Sequence, residues 1–273
     1  MDLASVTGEG VHELAVGPIH AGIIEPGHFR FSVDGEHVIN LEARLFWKHR
    51  GMEKRAEGHP FGEGLQLAER LCGACSFANA LAYAQAVESL TGCEVPARAA
   101  FIRVIGAELE RLYNHAGDLG GILTDVAYSV GAAQALRIRE RTLELNEALA
   151  GNRLLMGLLA VGGVRHDVDA ELRRRLEREL PALRRDVETI LNIVLHSESV
   201  LDRLETTGVV RPEVARDLGL VGPVARASGV DRDVRRDHPY AAYGLLAFEV
   251  PIRTKGDVLS RFKIKAEEFL QSV

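Results

Sequence analysis

Cysteine is scarce in this chain: three residues among 273. That is too few for a disulfide scaffold, and a reducing compartment is the expectation. Aromatic side chains make up only 5%, while Leu, Ala, Val and Arg are plentiful, which favours helices. No run of about 18 uncharged apolar residues occurs, so nothing reads as a bilayer span. The opening "MDLASVTGEG" has neither the basic nor the apolar region of a secretory signal. Positive charge is short too: the net charge of −6 gives no electrostatic case for nucleic acid or an anionic membrane surface. What remains, 47% hydrophobic and 26% charged residues, matches a globular protein with a real core.

The fold class expected is α+β, mostly α, in a single domain over 1–273. Residues 11–48 alternate at period two, with Phe29, Phe31 and Val33 on one side and Asp34-Gly35 as a hairpin turn. They predict a small antiparallel sheet. The segment "HRGMEKRAEGHPFGEG" (49–64) is polar and Gly-rich, a loop with one helical turn. Over 65–204 the apolar spacing becomes helical. Phe101, Ile102, Ile105, Leu109, Leu112, Leu119 and Leu123 form one stripe, with Pro96 a natural start. Further stripes over 132–160 and 168–204, joined by short connections, predict a bundle of long helices. Residues 219–244, rich in Gly, Arg and Asp, read as a structured loop whose arginines form an ion-pair network. "LLAFEVPIR" (245–253) reads as a short strand, and a helix starts near Gly256.

Two of the three cysteines stand together in "RLCGACS". A C-x-x-C pair can ligate a metal, exchange with a disulfide, or pack as two small hydrophobes. A redox pair of thioredoxin type wants a preceding strand, whereas both flanks of Cys72 and Cys75 are helical. Metal ligation and an inert buried pair stay open on spacing alone. Soft thiolates would favour nickel, iron, copper(I) or zinc, with further ligands from elsewhere. A helix N-terminus and Arg70 would lower the thiol pKa values. Cys93 reads as a buried small residue.

"RLCGACS" resembles the first R-x-C-G-x-C signature of [NiFe]-hydrogenase large subunits. "GPIHAGIIEPGHFRF" (17–31) and "HRGMEK" (49–54) resemble segments of the membrane-bound, energy-converting hydrogenases, including formate hydrogenlyase large subunits. "RAAFIRVIGAELERLYNH", "GNRLLMGLLAVGGV" and the stretch from Ala227 to Phe262 also resemble the 49-kDa quinone-site subunit of respiratory complex I. The similarity runs from Gly17 to Glu268, with several motifs in order.

This resemblance implies an oxidoreductase subunit that splits or forms H2 at a nickel–iron centre. Cys72 would be a terminal nickel thiolate and also catalytic, and Cys75 would bridge nickel and iron. Glu25 matches the carboxylate that exchanges protons with the terminal thiolate, and Glu53 matches a magnesium ligand. Arg70 and Asn79 would stand around the cofactor, Asn79 where hydrogenases usually carry His. A small Fe–S subunit would take the electrons. Membrane-arm subunits would hold the complex peripherally on the cytoplasmic face of the membrane. "RFKIKAEEFLQSV" matches a point about a hundred residues before the family's end, so the second C-x-x-C is expected outside these 273 residues. The alternative is a metal-free complex I-like quinone-site or scaffold subunit. Gly73 stands where that subunit carries a quinone-pocket tyrosine.

Overall fold

A computed structural model describes residues 6, 8–19 and 26–273. Contacts divide the chain, read above as one domain, into two compact units, Met1–Gly58 and His59–Val273.

The first unit is built on three antiparallel strands, β1 (Val11–Val16), β2 (His28–Asp34) and β3 (His37–Arg44), in the order β1-β2-β3. Gly35, at φ 59°, makes the tight turn between β2 and β3. Leu14, Phe31 and Leu41 are in register across the sheet, as are Val16, Phe29 and Ala43. Glu13 and Glu42 both face Arg30, at 3.7 and 3.0 Å. A register shift sets Val33 opposite Val38. A short helix, α1 (Met52–Ala56), follows.

The second unit is helical. It contains α2 (Phe61–Ala68), α3 (Ser76–Thr91), α4 (Ala97–Asp125), α5 (Ser129–Ala150), the two-residue strands β4 (Leu159–Ala160) and β5 (Gly163–Val164), and α6 (Ala170–Leu195). Then come α7 (Glu198–Leu204), α8 (Pro212–Asp217), α9 (Gly222–Ala227), α10 (Val234–Asp237) and α11 (Val258–Ser272). Helix α4 is the spine. Its buried Ile102, Leu109, Leu112, Leu119 and Leu123 recur at helical spacing and pack with Ile138 and Leu145 of α5, Leu183 and Val187 of α6, and Phe262 and Phe269 of α11. Phe101, counted in the stripe from sequence, is exposed. Pro96 precedes α4, and left-handed Gly92 and Gly151 end α3 and α5. Asp169 and Asp257 cap α6 and α11 by accepting the N–H of Leu172 and Ser260, each at 2.8 Å.

The strand expected over 245–253 is absent: Tyr243–Leu245 is a 3-10 turn and the residues after it are irregular. Pro251 has no N–H to donate, and the Arg253 N–H goes to the Arg226 carbonyl at 2.9 Å instead of to a ladder. The β4–β5 hairpin escaped the sequence reading because two-residue strands leave no period.

The arginine-rich loop does form a buried network. Glu268 of α11 is fully buried and accepts from Arg226 Nε at 2.6 Å and His115 Nε2 at 2.9 Å, with Arg111 at 3.5 Å. Arg235 pairs with Asp233 at 2.9 Å and Glu108 at 3.2 Å. Glu108 also accepts from the hydroxyls of Tyr243 and Ser272. Burial would raise the Glu268 pKa, but the His115 hydrogen bond and the Arg226 and Arg111 charges outweigh it and hold the group at about 2. His115, buried, is held below its ordinary value and stays neutral, so its Nε2–H donates to the carboxylate.

Candidate metal centre

The cysteines lie on the irregular turn between α2 and α3. Cys75 is the residue before α3, at φ −134°, and Cys72 is partly buried ahead of it. Both are free thiols within hydrogen-bonding reach of one another. Asn79, one turn into α3, donates from Nδ2 to Cys75 Sγ at 3.3 Å and to the Cys75 carbonyl at 2.9 Å.

Two other elements tie the turn down. The connection after α5 grips both ends: its Gly157 N–H donates to buried Glu69 at 2.7 Å, and its Leu154 carbonyl accepts from Ser76 Oγ at 2.6 Å. Helix α4 holds the segment around Cys75. Tyr113 Oη and Asn114 Nδ2 donate to the Ala74 carbonyl at 2.8 and 2.6 Å. The Glu110 oxygens accept the N–H groups of Phe77 and Ala78 at 2.8 and 2.9 Å. Gly106, one turn earlier, leaves room for the Phe77 ring, which lies 2.6 Å from where a Cβ would stand.

The electrostatics reverse the expectation of an acidified thiol. Burial, then the hydrogen bond and charge of Cys72, then the charge of Glu110, push Cys75 up to about 12, against the Asn79 bond that favours the thiolate. Arg70 does not offset this: its guanidinium donates to the Gln66 carbonyl at 2.8 Å and lies 3.6 Å from Glu69. Burial also pushes Glu110 up to about 7. Two neighbouring thiols are soft donors, and a bound soft divalent metal would favour their thiolate forms by its charge. Cys72 and Cys75 therefore fit one side of a thiolate-bound nickel–iron centre.

Other predicted residues fare differently. Glu25 lies outside the described residues. Glu53 is exposed on α1, in the first unit. Among the described residues no three His, Cys, Asp or Glu side chains gather as a metal site, so Glu53 has no partners there for magnesium. Cys93, read as buried, is exposed just past α3. Glu110, Tyr113 and Asn114 all lie in "ELERLYNH". The 110, 113, 114 spacing was visible, but not its target.

The description "Respiratory-chain NADH dehydrogenase, 49 Kd subunit" matches residues 125–273, more than half of the chain. The chain belongs to that family. "Nickel-dependent hydrogenase" matches residues 50–116, which include both cysteines of the turn. Formate hydrogenlyase subunit 5 of Escherichia coli is 41% identical over 93% of this chain and 45% of its own length. The carbon monoxide-induced hydrogenase of Rhodospirillum rubrum is 35% identical over 96% of this chain and 73% of its own. A chain of the archaeal membrane-bound sulfane sulfur reductase has a TM-score of 0.90 at 30% identity, over 98% of this chain and 72% of that one. This member of the 49 kDa family is thus of the membrane-bound hydrogenase large-subunit type, and it spans less than half of formate hydrogenlyase subunit 5. Among its described residues no helix is long and apolar enough to cross a membrane.

Proposed function

We propose that the chain supplies the first cysteine pair of the large subunit of an energy-converting [NiFe]-hydrogenase. One observation carries this: two free thiols in mutual contact at the start of α3, with an amide donor on the second. Cys72 and Cys75 would both hold the nickel–iron group, with Cys72 also catalytic. The nickel–iron group, when bound, supplies heterolytic splitting or formation of H2. Asn79 donates to the Cys75 sulfur without titrating, which lowers the electron density there at every pH. Glu25 moves a proton to or from the Cys72 side. Arg70 braces the turn beside the cofactor, and Glu53 is the candidate magnesium ligand. Electrons leave to a small Fe–S partner, and membrane-arm subunits keep the protein at the cytoplasmic face of the membrane.

The match to the 49 kDa description supports a second reading, a metal-free quinone-site subunit. Gly73 is exposed and a Cβ there meets nothing within 4 Å, so the absence of a side chain at this position is not forced by packing.

The test is nickel and iron analysis of the full-length protein purified in its complex. Stoichiometric nickel, lost in both Cys72→Ser and Cys75→Ser, is the expected result. Nickel-free native complex, or nickel kept by both variants, overturns the proposal. Glu25→Gln should keep nickel but depress H2 turnover.

A further inference from the structure

A helix start normally has its N2 and N3 N–H groups served by the side chain of the N-cap residue. In α3 the N-cap is Cys75, and its side chain makes no such bond. Glu110 of α4 serves them instead, one oxygen each to Phe77 and Ala78, and it is itself 5% exposed. The cap is supplied from a different helix, so the Cys75 sulfur is left for another use. On the other side of Cys75, Tyr113 and Asn114 both donate to the Ala74 carbonyl and occupy its two lone pairs. The three side chains are spaced i, i+3, i+4 on α4 and so share a face. The backbone is thereby fixed immediately before and after Cys75, while the sulfur itself accepts from Asn79 Nδ2.

We propose that Glu110, Tyr113 and Asn114 are positioning residues that set the Cys75 sulfur as a metal ligand, acting through the backbone on either side of it. The proposal rests on the hydrogenase reading. The Glu110 carboxylate is needed here for its reach and its two acceptors, which separates this role from one exerted through charge alone. Glu110→Asp keeps the charge and withdraws the carboxylate by about 1.5 Å, one methylene.

The experiment uses the full-length protein in its complex, from cells grown without nickel. Iodoacetamide labelling of Cys75 is followed by mass spectrometry with exposed Cys93 as internal reference. Glu110→Asp should raise the Cys75 to Cys93 labelling ratio about ten-fold, the factor for losing one charge-assisted hydrogen bond, and Asn114→Ala about five-fold, the factor for a neutral one. Asp257→Ala, a comparable capping loss at α11, should leave the ratio unchanged. An unchanged ratio in Glu110→Asp and Asn114→Ala, or an equal rise in Asp257→Ala, overturns the proposal. Nickel-free native complex would refute the hydrogenase reading, while the labelling ratio would still decide whether α4 positions Cys75.

Discussion

Glu268→Gln offers the sharpest test of the energetics. The native carboxylate is fully buried and takes the charges of Arg226 and Arg111 together with the His115 hydrogen bond. Its pKa is held at about 2, against an ordinary 4.5. The difference corresponds to about 3 kcal/mol in favour of the folded state at neutral pH. A carboxamide carries no charge and turns an N–H toward a guanidinium, which leaves buried Arg226 with Asp233, 3.8 Å away, and the neutral Arg232 carbonyl at 3.0 Å. At an m-value of about 2–3 kcal/mol/M, the urea midpoint should fall by about 1 M. The pH dependence has a definite sign. A depressed carboxylate pKa stabilises the fold above the unfolded value and loses that contribution as pH falls toward the folded one. The gap between wild type and Glu268→Gln should therefore shrink from about 3 kcal/mol at pH 7 to about 1 at pH 3. His115 is held below its ordinary 6.5 and bonds Glu268 itself, so the same pair of proteins measured in a His115→Asn background separates its protonation from that of Glu268. Urea titrations followed by far-ultraviolet circular dichroism, which reads mainly the helical unit, measure it. A gap that stays constant between pH 7 and pH 3 would refute the reasoning.

Arg103 and Glu88 form a buried bidentate pair at 2.9 and 2.6 Å, and Arg103 also holds the carbonyls of Ala160 and Gly163 in the β4–β5 hairpin. Arg103→Met should cost about 3–5 kcal/mol, and Arg103→Met with Glu88→Leu should cost less than that single change, because no unpaired charge stays buried. Gly256 sits at φ 67°, and a Cβ there would collide with the Val210 carbonyl oxygen. Gly256→Ala should lower stability by about 2–4 kcal/mol, read as a fall of about 5–15 °C in Tm. Asp169→Ala removes the α6 cap and should cost about 1 kcal/mol by urea titration.

What the sequence made legible follows from what leaves a period. Helices α4, α5 and α6 each bury a face several turns long, so their leucines and valines repeat visibly. Asp34-Gly35 and Pro96 mark conformations that few residues adopt. The irregular run through Leu246–Arg253 looked like a strand because Leu, Phe and Val abound in it, yet no neighbouring strand takes up its hydrogen bonds. The site was half legible. Cys72, Cys75 and Asn79 announce themselves by residue type and a four-residue spacing. Glu69, Ser76, Glu110, Tyr113 and Asn114 act on backbone groups up to 88 residues away, and a carbonyl or N–H target has no residue type to read. The acidified thiol was wrong for a similar reason: helix position is visible in sequence, whereas burial of Cys75 against Cys72 is not.

The grip of Leu154 and Gly157 on the cysteine turn bears on how the protein is made. Ser76 and Glu69 find these partners 78 and 88 residues further along the chain. On a ribosome adding about 5–20 residues each second, the thiols emerge about 4–18 s before the groups that hold their turn in place. During the later part of that interval the turn is held from α4 alone and stays open on its other side to any passing metal ion or oxidant, so a chaperone that shields it would have to engage while α5 is still being synthesised.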